Sequence, residues 1–177
     1  MAASDAIHIE PLPGMSGIAP CDETGSTFEE NAVQKALYYG SHTNGWLFAE
    51  DSGLEVDALD GAPGVYSARF AGPDATDDAN NSLLLKRLAG SKDRTARFVC
   101  VIALVQNGSL DRTFRGEAVG EILAEPRGTF GFGYDPLFFY PPLGCSFGEA
   151  ARKRKQTVSH RGQALEQLIT SLKRNYV

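Results

Sequence analysis

Apolar residues along the chain fall into a few runs, and the spacing within each run names an element. From Phe28 to Tyr39 the apolar positions Phe28, Ala32, Ala36 and Leu37 recur at helical spacing. Thr27 and Glu30 stand at the head of that run as a capping box and Gly40 closes it, which predicts a helix. "WLFA" (Trp46 to Ala49) reads as a strand, "EDSG" as a turn, and "LEVDAL" as a second, alternating strand. A second helix is predicted from Asp77 to Ala89, capped by Thr76 and offering Leu84, Leu85 and Leu88 to the core. "TARFVCVIALVQ" (Thr95 to Gln106) is apolar on both alternating faces after Arg97, as in a central strand covered on two sides. Asn107-Gly108 predicts a hairpin turn into "LDRTFRGEAVGEIL". The end is helical: a basic segment over Glu149 to Gln156, then a helix capped by Ser159 that buries Leu165, Leu168, Ile169 and Leu172.

Between these runs the pattern weakens. Residues 1–25 are rich in Pro, Gly, Ser and Asp, with "IHIEPLP" (Ile7 to Pro13) as one brief strand. "DGAPGVYSARFAG" holds too many Gly and Pro for a regular element, and "RGTFGFGYDP" (Arg127 to Pro136) is a Gly-rich aromatic loop. No repeat, linker or low-complexity segment divides the chain, so residues 1–177 are expected to form a single domain. Strands mixed with helices, and a hairpin among them, predict an α/β fold with a mixed sheet.

Composition narrows the function. A net charge of -5 and a pI near 5.2 argue against nucleic-acid binding by bulk electrostatics, so an anionic substrate needs local basic residues. The longest apolar runs, such as "FVCVIALV", are too short for a membrane span, and the N-terminus has no signal-peptide pattern. No membrane partner and a cytoplasmic location are expected. Cys21, Cys100 and Cys145 are odd in number and widely spaced, which suits reduced thiols, with Cys100 in the core. The motifs of P-loop ATPases, zinc proteases, α/β-hydrolases and Rossmann dehydrogenases are missing from the sequence.

Several residues suit chemistry, each beside a plainer reading. Asp51 ends an apolar strand, where a carboxylate serves as metal ligand or general base; it equally suits an Asx turn with Ser52 before Gly53. Glu50 alternates to the other face, so one of the two carboxylates points into a given cleft. Glu30 is explained by the capping box alone. Asn31 and Lys35 share a helical face and can meet a phosphate, or form a solvated face. "RKRK" (Arg152 to Lys155) reads as a polyanion grip or a solvated charge run. His160 and Arg161 fall in the first turn after Ser159, where cations oppose the helix dipole unless an anion binds, or they form an unliganded, exposed pair. In "GTFGFGYDP", glycines allow close approach and Phe132 or Tyr134 offers a stacking surface, or the aromatics are core.

In order along the chain, "TFEENAVQKA", "AEDSGLEVDALDGAPGVYSARFAG", "ATDDANNSLLLKRL", "RGTFGFGYDPLF", "SFGEA" and "SHRGQAL" resemble the noncanonical purine nucleoside triphosphate pyrophosphatases, also called inosine triphosphate pyrophosphatases. The resemblance spans roughly residues 24–172. It implies a Mg2+-dependent, cytoplasmic homodimer that hydrolyses ITP, dITP and XTP to monophosphate and pyrophosphate. The fold it implies is an elongated mixed β-sheet flanked by helices, in two lobes with a central cleft. By position it implies Asp51 as proton acceptor and metal ligand, and Glu30 as the second metal carboxylate. Lys35 falls at a phosphate contact and Ser52 at a substrate contact. Phe132, Gly133, Tyr134 and Asp135 match the base-pocket loop, Lys155 the lysine before the last helix, and His160 with Arg161 the pair at the purine edge.

Some positions depart from the family. Its members open with an apolar strand leading into a [ST]xNxxK loop on the triphosphate, and nothing before Thr24 matches that pattern. "MAASDAIHIEPLPGM" resembles the segment after that loop, so a chain lacking its first strand and one phosphate lysine is expected. Glu50 stands where Asp is commoner, and Gly148 where Ala is. A catalytically impaired nucleotide-binding module is therefore the alternative function. An RNA-binding protein using the basic helix and aromatic loop is a third, weakened by the acidic pI.

Overall fold

The structure is a computed structural model that describes residues 7–176. Helix α1 (Phe28–Gly40) begins where Thr27 Oγ1 accepts the Glu30 N–H at 3.1 Å. Its Phe28, Ala32 and Ala36 are buried. Strand β1 (Trp46–Val56) is continuous through Glu50, Asp51, Ser52 and Gly53. The expected turn at "EDSG" is thus strand. Every residue of β1 finds a partner in β2 (Thr95–Gln106), from Trp46 opposite Gln106 to Val56 opposite Ala96, and this ladder overrides the local turn preference of Asp and Ser.

Asn107 (φ 50°) and Gly108 (φ 75°) both take the left-handed conformation that a two-residue hairpin needs, and β3 (Ser109–Ile122) returns along β2. Short strands β4 (Phe138–Tyr140) and β5 (Cys145–Ser146) complete a five-stranded sheet of order β1-β2-β3-β4-β5. The α/β class holds, but every pairing among the described strands is antiparallel where a mixed sheet is expected. Ile7 to Pro13 form no strand, and Met1 to Ala6 of the segment likened to the stretch after the phosphate loop lie outside the described residues.

Helices cover both faces of β1 and β2, which divides the side chains by parity. On one face Phe28, Ala32 and Ala36 of α1 pack against Val99, Val101, Ala103 and Val105, with Leu47 and Ala49 of β1 alongside. On the other, Ala164 and Leu168 of α4 (His160–Tyr176) pack against Cys100, Ile102, Leu104 and Phe114, with Phe48 alongside. A third cluster joins α2 (Asp77–Arg87), through Leu84 and the C-cap Leu88, to Leu54, Val56, Phe98, Tyr134, Phe138 and Phe147. A short basic helix, α3 (Arg152–Val158), leads into α4.

Candidate active site

Asp51 shares a strand face with Leu47 and Ala49, so it points toward α1. Its Oδ1 accepts the Lys35 ammonium at 2.8 Å and its Oδ2 accepts Asn31 Nδ2 at 3.2 Å. Asn31 and Lys35 thus converge on one carboxylate. Asn31 is itself oriented by Gly25, whose N–H donates to Asn31 Oδ1 at 2.8 Å. Lys35 also lies 3.2 Å from Glu23 Oε1, so two carboxylates share one ammonium. Burial opposes the Lys35 charge, but the hydrogen bond and charge of Asp51, with those of Glu23, outweigh it and raise the lysine above its ordinary pKa.

Glu50 and Ser52 have the opposite parity and point toward α4. Arg161 reaches both: its Nε donates to Glu50 Oε1 at 2.8 Å and its Nη2 to Ser52 Oγ at 2.7 Å. The other Glu50 oxygen accepts the Cys100 thiol at 2.9 Å. Burial first, and then the Glu50 charge, push that thiol's pKa up, so Cys100 stays protonated. His160 is buried, its ring stacked on Phe98 with centroids 4.8 Å apart. Burial, then Arg161 and Lys155, push its pKa down to about 3. The imidazole is therefore neutral; its Nε2 lies 3.4 Å from Arg161 Nη1, which can only donate, and its buried Nδ1 has no partner.

The aromatic loop closes over the same side. Phe132 is 60% exposed, with Lys155 Nζ 5.3 Å and Arg161 Cζ 5.1 Å from its ring centre. Asp135, 2% exposed, accepts the Phe132 N–H at 2.9 Å and a close hydrogen bond from Lys155 Nζ. Tyr134 is core: it is buried and its hydroxyl donates to Ser67 O at 2.8 Å, which leaves Phe132 as the open stacking surface.

The sequence-predicted residues thus form two clusters joined at adjacent positions of β1. Asp51 and Lys35 lie on one face, and Ser52, Phe132, Asp135, Lys155, His160 and Arg161 on the other, with Gly133 in the loop between Phe132 and Tyr134. Glu30 faces elsewhere: its Oε2 accepts from Ser26 N at 2.6 Å and Ser26 Oγ at 2.8 Å. Those bonds, the hydroxyl's first, hold its carboxyl below the usual pKa. Sequence reasoning missed Glu23 and the contact of Glu50 with Arg161. The parity shared by Glu50 and Ser52 pointed to the latter; no local signal marked Glu23, which lies in an irregular segment. Among the described residues no three His, Cys, Asp or Glu side chains gather into a cage for a metal ion. A magnesium site does not need one, because one or two carboxylates complete it together with substrate phosphates. Glu23 and Asp51 share the Lys35 ammonium, at 3.2 and 2.8 Å, so oxygens of both carboxylates face a common point that this cation fills.

Comparison with known proteins adds the relatives. Residues 1–171 match the Ham1 family. A dITP/XTP pyrophosphatase of Exiguobacterium sp. is 56% identical over 161 residues, 91% of this chain and 82% of the relative. A protein of the same name from Geobacter sulfurreducens is 52% identical over 161 residues, 90% of this chain and 79% of the relative. Among solved structures, a HAM1 protein from Coxiella burnetii superposes with a TM-score of 0.85 at 45% identity, covering 89% of this chain and 82% of that one. A nucleoside-triphosphatase, dITP/XTP pyrophosphatase, from Mycobacterium abscessus gives 0.71 at 39% identity, covering 96% and 83%.

Proposed function

The chain belongs to the Ham1 family, and from that premise we propose that it hydrolyses noncanonical purine nucleoside triphosphates, ITP, dITP and XTP, to the monophosphate and pyrophosphate. One observation carries the reading: neighbouring residues of β1, Asp51 and Ser52, belong respectively to a carboxylate–lysine cluster suited to phosphates and to an arginine–phenylalanine cluster suited to a base. Strand β1 is an edge of the sheet, so a nucleotide lying across that edge can engage both.

At the phosphate end, Asp51 orients the attacking water and accepts its proton, held for that task by Asn31 and Lys35. Lys35 stabilises charge developing on the pyrophosphate, since an incoming triphosphate competes with Asp51 for its ammonium. Asp51 with Glu23 would hold magnesium, whereas Glu30, the carboxylate implied by the resemblance, is bonded to Ser26. Magnesium supplies charge neutralisation on the phosphate oxygens when bound.

At the base end, Phe132 stacks on the purine and Lys155 stands over that ring. Arg161 presents donors, which suit the 6-oxo group of a hypoxanthine or xanthine base. The 6-amino group of adenine puts a donor there and leaves groups unpaired. The same resemblance supports a cytoplasmic homodimer as the working form; a sedimentation mass twice the chain's 19.0 kDa checks the dimer.

The test is pyrophosphate release from ITP, dITP, XTP, GTP and ATP, with magnesium and with a chelator. The first three should be favoured over ATP by about 10²-fold or more in kcat/KM, and the chelator should abolish turnover. Equal turnover of ATP and dITP would defeat the proposal.

A further inference from the structure

Phe132 lies between two left-handed glycines, Gly131 (φ 81°) and Gly133 (φ 59°), and most of its ring is exposed. Its own packing therefore does little to aim it. The glycine that follows is gripped at both its backbone N–H and its carbonyl. The Gly133 N–H donates to Asp77 Oδ2 at 2.6 Å, and the Gly133 carbonyl accepts Asn81 Nδ2 at 3.0 Å. Asp77 and Asn81 stand four apart at the start of α2, on one helical face, so one rigid element holds both ends of a single glycine. That helix is in turn anchored by Leu84 and Leu88 in the core.

Asn81 carries a second sign of purpose. It is 8% exposed, and its Oδ1 is a buried acceptor without a partner. Turning the amide over would set that oxygen against the Gly133 carbonyl, so the bond to the loop fixes the amide's orientation and leaves its oxygen without a partner.

We infer that Asp77 and Asn81 are positioning residues: through Gly133 they hold the Phe132 ring where Lys155 and Arg161 flank it, and so set the affinity for the base. The inference rests on the function proposed above. Neither residue belongs to the phosphate cluster, so their loss acts on KM and spares kcat.

The experiment measures dITP hydrolysis by Asp77→Ala, Asp77→Asn, Asn81→Leu and Phe132→Ala, and by Asp77→Ala combined with Phe132→Ala. It also follows hydrogen exchange over residues 128–137 without substrate. Asp77→Ala and Asn81→Leu should raise KM about tenfold with kcat within about twofold of wild type. Asp77→Asn, whose amide oxygen still accepts from Gly133, should keep KM near wild type. In the Phe132→Ala background Asp77→Ala should add nothing, and on its own it should speed exchange of the loop. Additive effects on KM, or unchanged loop exchange in folded Asp77→Ala protein, would overturn the inference. Should Asn81→Leu fail to fold, the two Asp77 variants decide the matter. A wild-type protein inactive on dITP and XTP would defeat the functional reading, and the exchange comparison would still decide whether the clamp exists.

Discussion

Asp51 is partnered by an ammonium and an amide, with only 9% of its surface exposed, and that pairing determines what one substitution does. In Asp51→Asn the amide oxygen still accepts a hydrogen bond, so the fold persists, but the proposed proton acceptor and a negative charge are gone. Turnover of dITP should fall by about 10² to 10⁴, the usual contribution of a general base. Stability should fall by about 1–2 kcal/mol, because Lys35 exchanges a charged acceptor for a neutral one. Pyrophosphate release and thermal melting measure the two effects; near wild-type turnover would remove Asp51 from its role. The residue type at 51 was legible in the sequence as chemically suggestive, but its partners were not. Lys35 reaches it from 16 positions away, and only packing of α1 on β1 brings the lysine, with Glu23 on its other side, to that point.

At the scale of elements, the site depends on how closely α4 lies on the sheet. Gly116 of β3 makes that approach possible. A Cβ at this position would lie 2.1 Å from the His160 carbonyl oxygen and 2.8 Å from the Ala164 nitrogen, both backbone atoms. Gln163 and Gln167 fasten the helix on either side of that contact through Glu117 O and Arg115 O, each at 2.8 Å. Gly116→Ala should therefore push α4 outward, costing about 1–3 kcal/mol in a denaturant titration. KM for dITP should rise with it, because Arg161 moves with the helix. An unchanged midpoint and KM would show that the helix yields without cost. Helices α1, α2 and α4 were readable from caps and apolar spacing, since those signals are local. The course of β1 was not, because an Asp-Ser-Gly sequence favours a turn until a partner strand pairs with all of it.

For the whole molecule, acid stability turns on a group buried at the heart of the site. His160 has a folded pKa of about 3 against an ordinary value of 6.5. Below 6.5 the unfolded chain takes up a proton that the folded chain refuses until about pH 3, so acid favours unfolding across that window. This one group should remove up to about 1.4 kcal/mol of stability per pH unit there. His160→Phe keeps an aromatic ring beside Phe98 and abolishes the titration, so its stability should fall less steeply between pH 6 and 4 than that of wild type. Parallel profiles from denaturant titrations would refute the assignment. The sequence by itself determined the helices, the central hairpin, the apolar faces and the order of motifs that marks the family, because each rests on neighbours in the chain. Tertiary structure alone decided that "EDSG" is strand, that Glu50 holds Arg161, that Glu23 joins Asp51 at Lys35, and that Phe132 rather than Tyr134 is the open ring. Each of those outcomes depends on a partner from a distant segment, and the chain's local preferences carry no record of which segment that is.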